Sequence, residues 1–152
     1  MSSVKRLQFS TVIDAPPEVV WRVMLDDATY RRWTEAFAEG SHYEGSWAEG
    51  ERIRFLVPSG DGMVAEIAER REHEFLSIRH LGVVSDGVED TDSEAVRAWA
   101  PAHENYTFEA DGQGTRLVVE QEVAGDYEQA LGETWGKALE SLKILCEDEA
   151  AR

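Results

Sequence analysis

The sequence has little of what secreted and membrane proteins depend on. Its single cysteine, Cys146, cannot form a disulfide within the chain, and this usage favours a reducing compartment. No run of about 18 apolar residues, the length that spans a bilayer, occurs anywhere. The N-terminal stretch lacks the apolar core of a signal peptide. We therefore expect a cytoplasmic protein that inserts into no membrane.

Positive charge is also scarce. The chain has 15 lysine and arginine residues against 31 aspartate and glutamate residues, which gives a formal net charge of −16. Because binding to nucleic acid requires clustered basic side chains that displace counterions from phosphates, we expect no nucleic-acid partner. An anionic membrane surface is disfavoured for the same reason. The simplest role for the acidic excess is solubility.

Motifs for metal binding and covalent catalysis are missing as well. The four histidines do not stand at the spacing of paired metal ligands, and no CxxC motif is present. No Gly-x-Ser-x-Gly nucleophile elbow occurs either. Cys146 falls in the last turn of a predicted helix, where we expect a small apolar filler rather than a nucleophile. We therefore predict no metal, no cofactor and no catalytic residue.

What the sequence does contain is a long amphipathic segment near its end, from Asp126 to about Glu147. Its apolar residues recur at steps of three and four, the spacing of one helix face. They are Leu131, Trp135, Ala138, Leu139, Leu142 and Leu145. At roughly 1.5 Å per residue this helix would be about 33 Å long. A helix with one apolar face must bury that face against another layer of the fold.

Most of the chain before this helix alternates between apolar and polar residues, which predicts β-strands. The predicted strands cover residues 5–14, 40–47, 52–57, 63–71, 75–83, 105–110 and 115–124. Two short helices separate the first strand from the second. The first carries an apolar cluster around Val20, with Asp14 as its N-cap, and the second covers residues 28–33.

The alternation also predicts which strand residues face the long helix. They are Leu7, Phe9, Ile13, Ile53, Phe55, Ile67, Leu76, Ile78, Tyr106, Phe108, Leu117 and Val119. We expect Gln8, Arg54, Arg79 and Glu120 on the opposite face. A slip of one residue in any strand would exchange the two sets.

An antiparallel sheet that curls around the terminal helix gives each apolar face a cover. We therefore predict one α+β domain over residues 1–152. Its curved antiparallel sheet of about six to seven strands wraps around the long C-terminal helix, and the two short helices follow the first strand.

Five stretches make this arrangement resemble a known family. They read IDAPPEVVW at residues 13–21, YEGSWAEG at 43–50, IRHLG at 78–82, NYTF at 105–108 and WGKALESLK at 135–143. In this order and spacing they resemble the START-like (Bet v 1-like, SRPBCC) superfamily with its helix-grip fold. Within it they are similar to the branch named after the activator of the heat-shock-protein ATPase. The resemblance spans nearly the whole chain and implies a cavity for a hydrophobic ligand between sheet and helix.

Several residues predicted to point into that space carry polar tips or aromatic rings. His80 shares a strand face with Leu76 and Ile78, and Trp135 lies on the apolar helix face. Groups that converge on one concave space are typical of small-molecule sites. The predicted ligand-binding residues are Phe55, Met63, His80, Trp99, Tyr106, Phe108 and Trp135. Packing without a ligand is the alternative for each of them.

Residues 84–102 interrupt the strand pattern. Residues 85–92 are acidic and are predicted to form a loop. Thr91 and Glu94 have the spacing of a capping box, which predicts a short helix over residues 93–99. We expect Trp99 to anchor this insertion over one mouth of the cavity. A dimer contact and a surface ornament are the alternatives.

These patterns favour a small soluble domain that binds a hydrophobic or aromatic molecule, as a monomer or a homodimer. Some superfamily members are cyclases or hydratases, so the resemblance implies an alternative, an enzyme with His80 as general base and Tyr106 as proton donor. A chaperone-linked, ATPase-activator-like interaction domain is a further alternative. Catalysis needs at least two ionisable groups in the cavity, and the sequence clearly places only His80 there, which favours binding.

Overall fold

The computed structural model describes residues 4–124 and 127–152. It is α+β, with a curved, open antiparallel sheet and a long C-terminal helix. The strands are β1 (Val4–Ile13), β2 (His42–Gly45), β3 (Arg52–Leu56), β4 (Gly62–Arg71), β5 (Phe75–Ser85), β6 (Val88–Asp90), β7 (Ala102–Asp111) and β8 (Gly114–Ala124). The helices are α1 (Pro17–Leu25), α2 (Asp27–Trp33), α3 (Glu94–Arg97) and α4 (Glu128–Ala150), with a 3₁₀ turn at Thr34–Ala36. The predicted fold class is confirmed.

The strands follow the spatial order β1-β8-β7-β5-β4-β3-β2, and the short β6 pairs with β5. Every pairing is antiparallel. β1 and β8 pair without irregularity, from Val4 opposite Ala124 to Ile13 opposite Thr115. This long pairing joins the first and last strands of the chain and places α4 directly after the strand that it must cover.

The main core lies between the inner face of the sheet and α1, α2 and α4. Eleven of the twelve residues predicted to face the long helix belong to this core or pack against it, and Leu7 is half-buried. The opposite set lies outside the core. Gln8 is exposed, Arg54 pairs with Glu89, Arg79 with Glu66, and Glu120 with Arg6. The predicted strand phases are therefore confirmed.

A β-bulge at Leu81 changes which residues of β5 face the core. Before the bulge, His80 lies on the inner face, where its ring packs near Phe55. An extra residue reverses the side-chain alternation beyond it. Val84 therefore packs with Leu56 and Val64 in a small separate cluster.

The long amphipathic helix is present as α4. The side chains that it buries are Trp135, Ala138, Leu139, Leu142 and Cys146. The predicted start at Asp126 lies outside the described residues, and the helix continues beyond Glu147 to Ala150. Cys146 is fully buried in the core, as expected of an apolar filler. This burial, together with the neighbouring Glu147 charge, raises the pKa of its thiol to about 12.

The two short helices follow β1 as predicted, but Asp14 does not cap the first of them. Pro16 is the N-cap of α1, and its carbonyl oxygen accepts a hydrogen bond from the Val19 N–H at 2.9 Å. Proline is tolerated at a helix start because an N–H there has no helical partner. Asp14 instead donates its backbone N–H to the Glu147 carboxylate at 2.9 Å, which ties the end of β1 to α4.

The prediction of a loop over residues 85–92 is wrong. β5 continues to Ser85, and Asp86 and Gly87 turn the chain into β6, which pairs back on β5. The two turn residues have φ angles of 50° and 82°, as the tight turn of a two-residue β-hairpin requires. The Asp-Gly pair is the sequence signal for this turn.

The segment that follows β6 also differs in part from the prediction. Its helix α3 is shorter than predicted, and Ser93 rather than Thr91 caps it, because the Ser93 hydroxyl accepts the Val96 N–H at 3.3 Å. A Cβ atom placed on Gly82 would lie 2.0 Å from the Asp90 carbonyl oxygen. Only glycine allows two backbone segments to approach this closely.

Gly82→Ala should therefore destabilise the protein by about 1–3 kcal/mol, as overpacked sites do. Gly136→Ala is the matched control, because a Cβ there meets nothing within 4 Å. In the interior of α4 it should stabilise by up to about 1 kcal/mol, since alanine favours a helix over glycine. Urea unfolding measures both changes. A Gly82→Ala protein as stable as the original would show that the insertion does not lie against β5.

Candidate functional site

A cavity of about 310 Å³ lies between the inner face of the sheet, the α2 region and the beginning of α4. Residues of β3, β4, β5, β7 and β8 form its sheet side. The lining residues that keep solvent exposure mark its mouth, and they include Phe37, Ala38, His42, Val57, Met63 and Leu131. Mostly apolar walls with a few polar groups are typical of small-molecule pockets.

Five of the seven predicted ligand-binding residues line this cavity, namely Phe55, Met63, His80, Tyr106 and Trp135. Phe108 lies elsewhere in the core, where its ring packs edge-on against Trp21 with centroids 5.2 Å apart. Trp99 does not line the cavity either. The structure describes all of residues 84–102, and none of them is in the cavity wall. The pairing of β6 with β5 and the close approach of Asp90 to Gly82 hold the beginning of this segment against β5.

The cavity wall contains a carboxylate that the sequence analysis missed. Glu104 Oε1 is 3.0 Å from His80 Nε2, and Glu104 Oε2 accepts a hydrogen bond from the Tyr106 hydroxyl. The side chains of His80 and Glu104 are 8% and 15% exposed. An imidazole, a carboxylate and a phenol therefore form one hydrogen-bonded network in the wall.

The strand pairing explains why these three groups meet. Glu104 and Tyr106 are two residues apart on β7, so their side chains leave the same face of the sheet. On the neighbouring β5, Ile78 lies opposite Glu104, which makes His80 its diagonal neighbour, a separation that long side chains can bridge. Because β7 begins at Ala102 rather than at the predicted Asn105, Glu104 fell outside the predicted strand. Counting back by two from Tyr106 would have found it.

Gln121 is a second polar residue in the wall that the sequence analysis did not identify. It lies opposite Glu104 on β8, and its Oε1 accepts a hydrogen bond from the Trp135 indole N–H at 2.7 Å. Trp135 is only 1% exposed, and a buried indole N–H requires such a partner. The amide therefore fixes the orientation of the largest ring in the wall. The sequence signal for Gln121 was the alternation of β8. Gln121 follows the inward-facing Val119 by two residues and therefore lies on the same face.

The carboxylate also affects the phenols around it. Burial raises the pKa of Tyr106 well above its ordinary value, and the charge of Glu104 raises it further. The pKa of Tyr30 is raised in the same way, first by burial and then by Glu104. Both hydroxyl groups therefore keep their protons at neutral pH and can act as donors. Nδ1 of His80 is buried and has no hydrogen-bond partner in the described part of the chain.

Two further observations concern other kinds of site. Within residues 4–124 and 127–152, no group of three or more His, Cys, Asp or Glu side chains is arranged to hold a metal ion. Over the same ranges, no helix combines the length and apolar character needed to cross a bilayer.

Comparison with known proteins gives a family. The family model described as activator of Hsp90 ATPase homolog 1-like protein matches residues 14–147. No curated protein matches the sequence.

Solved structures show the same fold at low sequence identity. The Aha1 dimer from Colwellia psychrerythraea is 16% identical with a TM-score of 0.72, over 94% of this chain and 96% of that chain. Protein CV1439 from Chromobacterium violaceum is 21% identical with a TM-score of 0.67, over 93% and 97%. CalU16 from Micromonospora echinospora is 18% identical with a TM-score of 0.65, over 98% and 87%.

The network in the wall predicts energetic coupling between Tyr106 and Glu104. In a double-mutant cycle, Tyr106→Phe and Glu104→Gln should show an interaction energy of about 0.5–3 kcal/mol, as contacting polar groups do. Thr115→Val combined with Glu104→Gln is the control, since Thr115 lies opposite Ala110, six residues further along β7. These two changes should be additive in urea unfolding. Additivity of the Tyr106 and Glu104 changes would mean that the network does not form.

Proposed function

Because the chain belongs to the family of activator of Hsp90 ATPase homolog 1-like proteins, whose model matches most of its length, we propose that it binds a small hydrophobic or aromatic molecule between the sheet and α4. The observation that carries this proposal is the cavity of about 310 Å³ with its aromatic walls. Protein interiors are otherwise packed as densely as organic crystals. An apolar space of this size, open at one side, suits an apolar guest.

The polar groups support the same proposal. A ligand pocket needs a few placed polar groups that fix orientation, while its apolar walls provide most of the affinity. Glu104, His80, Tyr106 and Gln121 supply donors and acceptors on the sheet side. The ligand that fits is therefore a molecule with an apolar or aromatic body and at least one group able to form hydrogen bonds.

Filling the cavity tests this proposal. N-phenyl-1-naphthylamine, an uncharged dye that fluoresces in apolar surroundings, should bind to the original protein. Met63→Trp places a large ring in the wall near the mouth and should weaken dye binding by at least about tenfold, which is about 1.4 kcal/mol. Ala68→Trp is the control, because it adds the same ring to β4 at an exposed position. Equal dye binding by both variants would place the dye outside the cavity and contradict the proposal.

A specific observation also favours the second candidate, an enzyme. Catalysis in the cavity requires at least two convergent ionisable groups, and the structure brings Glu104 to within 3.0 Å of His80. A carboxylate that orients an imidazole is a recurrent arrangement for a general base. With Nε2 facing Glu104, the accepting atom would be Nδ1, which is buried here, so the ring must move before a substrate reaches it. Tyr106, whose hydroxyl donates to Glu104 in this structure, would turn that proton toward the substrate. We infer that such a site would transfer a proton at the carbon next to a carbonyl group, the step that aldol-type cyclisation and the hydration of α,β-unsaturated carbonyl compounds share.

Deuterium exchange tests this candidate without knowledge of the natural substrate. In D₂O, the protein should accelerate the loss of the α-proton NMR signals of 2-tetralone, an aromatic ketone of suitable size. His80→Gln should abolish the acceleration, because glutamine does not act as a base. His103→Gln is the matched control, since His103 pairs with Glu122 outside the cavity wall. Binding of the ketone without exchange would remove the enzymatic candidate and leave the binding proposal intact.

Two further expectations stay predictions. The sequence suggests a monomer or a homodimer, and the similar protein from Colwellia psychrerythraea is described as a dimer. Cytoplasmic location rests on the sequence features alone. Neither bears on the geometry of the cavity, which lies within one chain.

A further inference from the structure

The charge of the cavity wall is one-sided. In the described part of the chain, the lining residues include no lysine and no arginine, and Glu104 is the carboxylate among them. Its hydrogen-bond partners there are His80 and Tyr106. A carboxylate removed from water normally has a basic partner, because an unpaired buried charge is costly. The wall therefore presents a negative group that lacks a lysine or arginine counter-charge.

Glu104 has capacity for a further partner. A carboxylate offers about four lone-pair sites on its two oxygens, and His80 and Tyr106 each use one of them. The side chain keeps 15% of its surface exposed and lies in the cavity wall. A donor group on a bound molecule can therefore reach it.

His80 is a hydrogen-bond partner of Glu104 but not a permanent counter-charge as lysine or arginine would be. Its Nε2 atom faces Glu104 at 3.0 Å, while its Nδ1 atom is buried with no partner in the described residues. A proton on both nitrogens would leave a buried N–H unpaired, and orphaned buried N–H groups are rare in proteins. A single proton on Nε2, donated to the carboxylate, leaves no such orphaned N–H, and in that tautomer the imidazole adds no positive charge to the wall.

The rest of the wall suits a positive charge. The aromatic residues in it include Tyr30, Trp33, Trp47 and Trp135. Aromatic faces attract organic cations through their quadrupole, and tryptophan does so most strongly. The whole chain adds a favourable field, because its formal net charge of −16 raises the local concentration of cations and speeds their approach.

We propose that the cavity binds a hydrophobic organic cation, a protonated amine with an aromatic body, whose ammonium group donates a hydrogen bond to Glu104. This inference rests on the proposed function and specifies its ligand class. The hydrocarbon part lies against the aromatic wall, and the N–H donor takes a free lone-pair site on the carboxylate. A carboxylate ligand of the same shape is repelled by Glu104.

Three probes of nearly the same shape test the proposal at neutral pH. They are 1-naphthylmethylamine, which is a cation, 1-naphthalenemethanol, which is neutral, and 1-naphthoic acid, which is an anion. By isothermal titration calorimetry, the amine should bind at least about tenfold more tightly than the alcohol, since hydrogen bonds between charged groups are stronger than neutral ones. The acid should bind most weakly.

Two variants test whether Glu104 causes the preference for the amine over the alcohol. Glu104→Gln should bring the amine and the alcohol to similar affinities, because it should weaken the amine at least about tenfold more than the alcohol. Glu122→Gln is the matched control, because Glu122 is also paired with a histidine, His103, but is not in the cavity wall. It should keep the full preference for the amine. A preference that survives Glu104→Gln would overturn the assignment to this carboxylate.

Salt dependence in the original protein provides a measurement that needs no variant. A preference due to the half-enclosed Glu104 should persist in about 0.5 M salt, whereas one due to the overall surface charge should disappear. Loss of the preference in salt, or equal affinities for amine and alcohol, would overturn the cation inference and leave the proposed function standing. If neither the alcohol nor the uncharged dye binds, the proposed function itself fails.

Discussion

The structure depends on how completely the apolar face of α4 is buried. From Ala138 onward the centre of the face is fully covered, since Ala138, Leu142 and Cys146 have no exposed surface, while Leu145 at its edge is half-buried. The first half is different, because Leu131 and Trp135 border the cavity. The same hydrophobic stripe thus closes the core at one end and leaves an apolar space at the other, so the stability of the fold and the existence of the cavity have a common origin.

Large rings keep that space open. Trp33 and Phe37 approach Trp135 with ring centroids 6.2 and 4.9 Å apart, from the side opposite the sheet. Gln121 holds the Trp135 indole from the sheet side with a 2.7 Å hydrogen bond. The Phe37 and Trp135 rings meet nearly edge to face, an arrangement that aromatic pairs favour. The wall is therefore supported by contacts among its own members.

The sequence predicted those features that follow from simple periodicity. The period of 3.6 identified α4, and the period of two placed residues such as Ile53, Leu76 and Val119 on the inner face, because burial of one face selects a single register. Features that depend on an exception to periodicity were missed. The Leu81 bulge reverses the alternation of β5, and Asp86-Gly87 folds the predicted loop into a hairpin.

The residues of the cavity wall also divide into those that periodicity predicts and those that it does not. Phe55, Met63 and Tyr106 were predicted from strand alternation and Trp135 from the helix face, whereas Trp33 and Phe37, which lie on and after α2, were not. Glu104 was missed because the strand was predicted to begin at Asn105 and because a charged residue is normally assigned to the solvent face. Its network with His80 and Tyr106 makes the inward position tolerable. Trp99 was misplaced for the opposite reason. A large aromatic ring was assumed to seek the nearest apolar space, whereas Trp99 is not among the residues that line the cavity.

The two chemical roles considered for the cavity compete for one carboxylate. An ammonium group bound to Glu104 would bring a positive charge close to His80. A positive charge there opposes protonation of the imidazole. As the partner of His80 alone, Glu104 stabilises the protonated imidazole that forms when a base accepts a proton. A bound amine therefore makes His80 a weaker base. A cavity specialised for cations would hold its ligand unchanged, whereas proton transfer would require a neutral substrate that leaves the Glu104–His80 pair undisturbed.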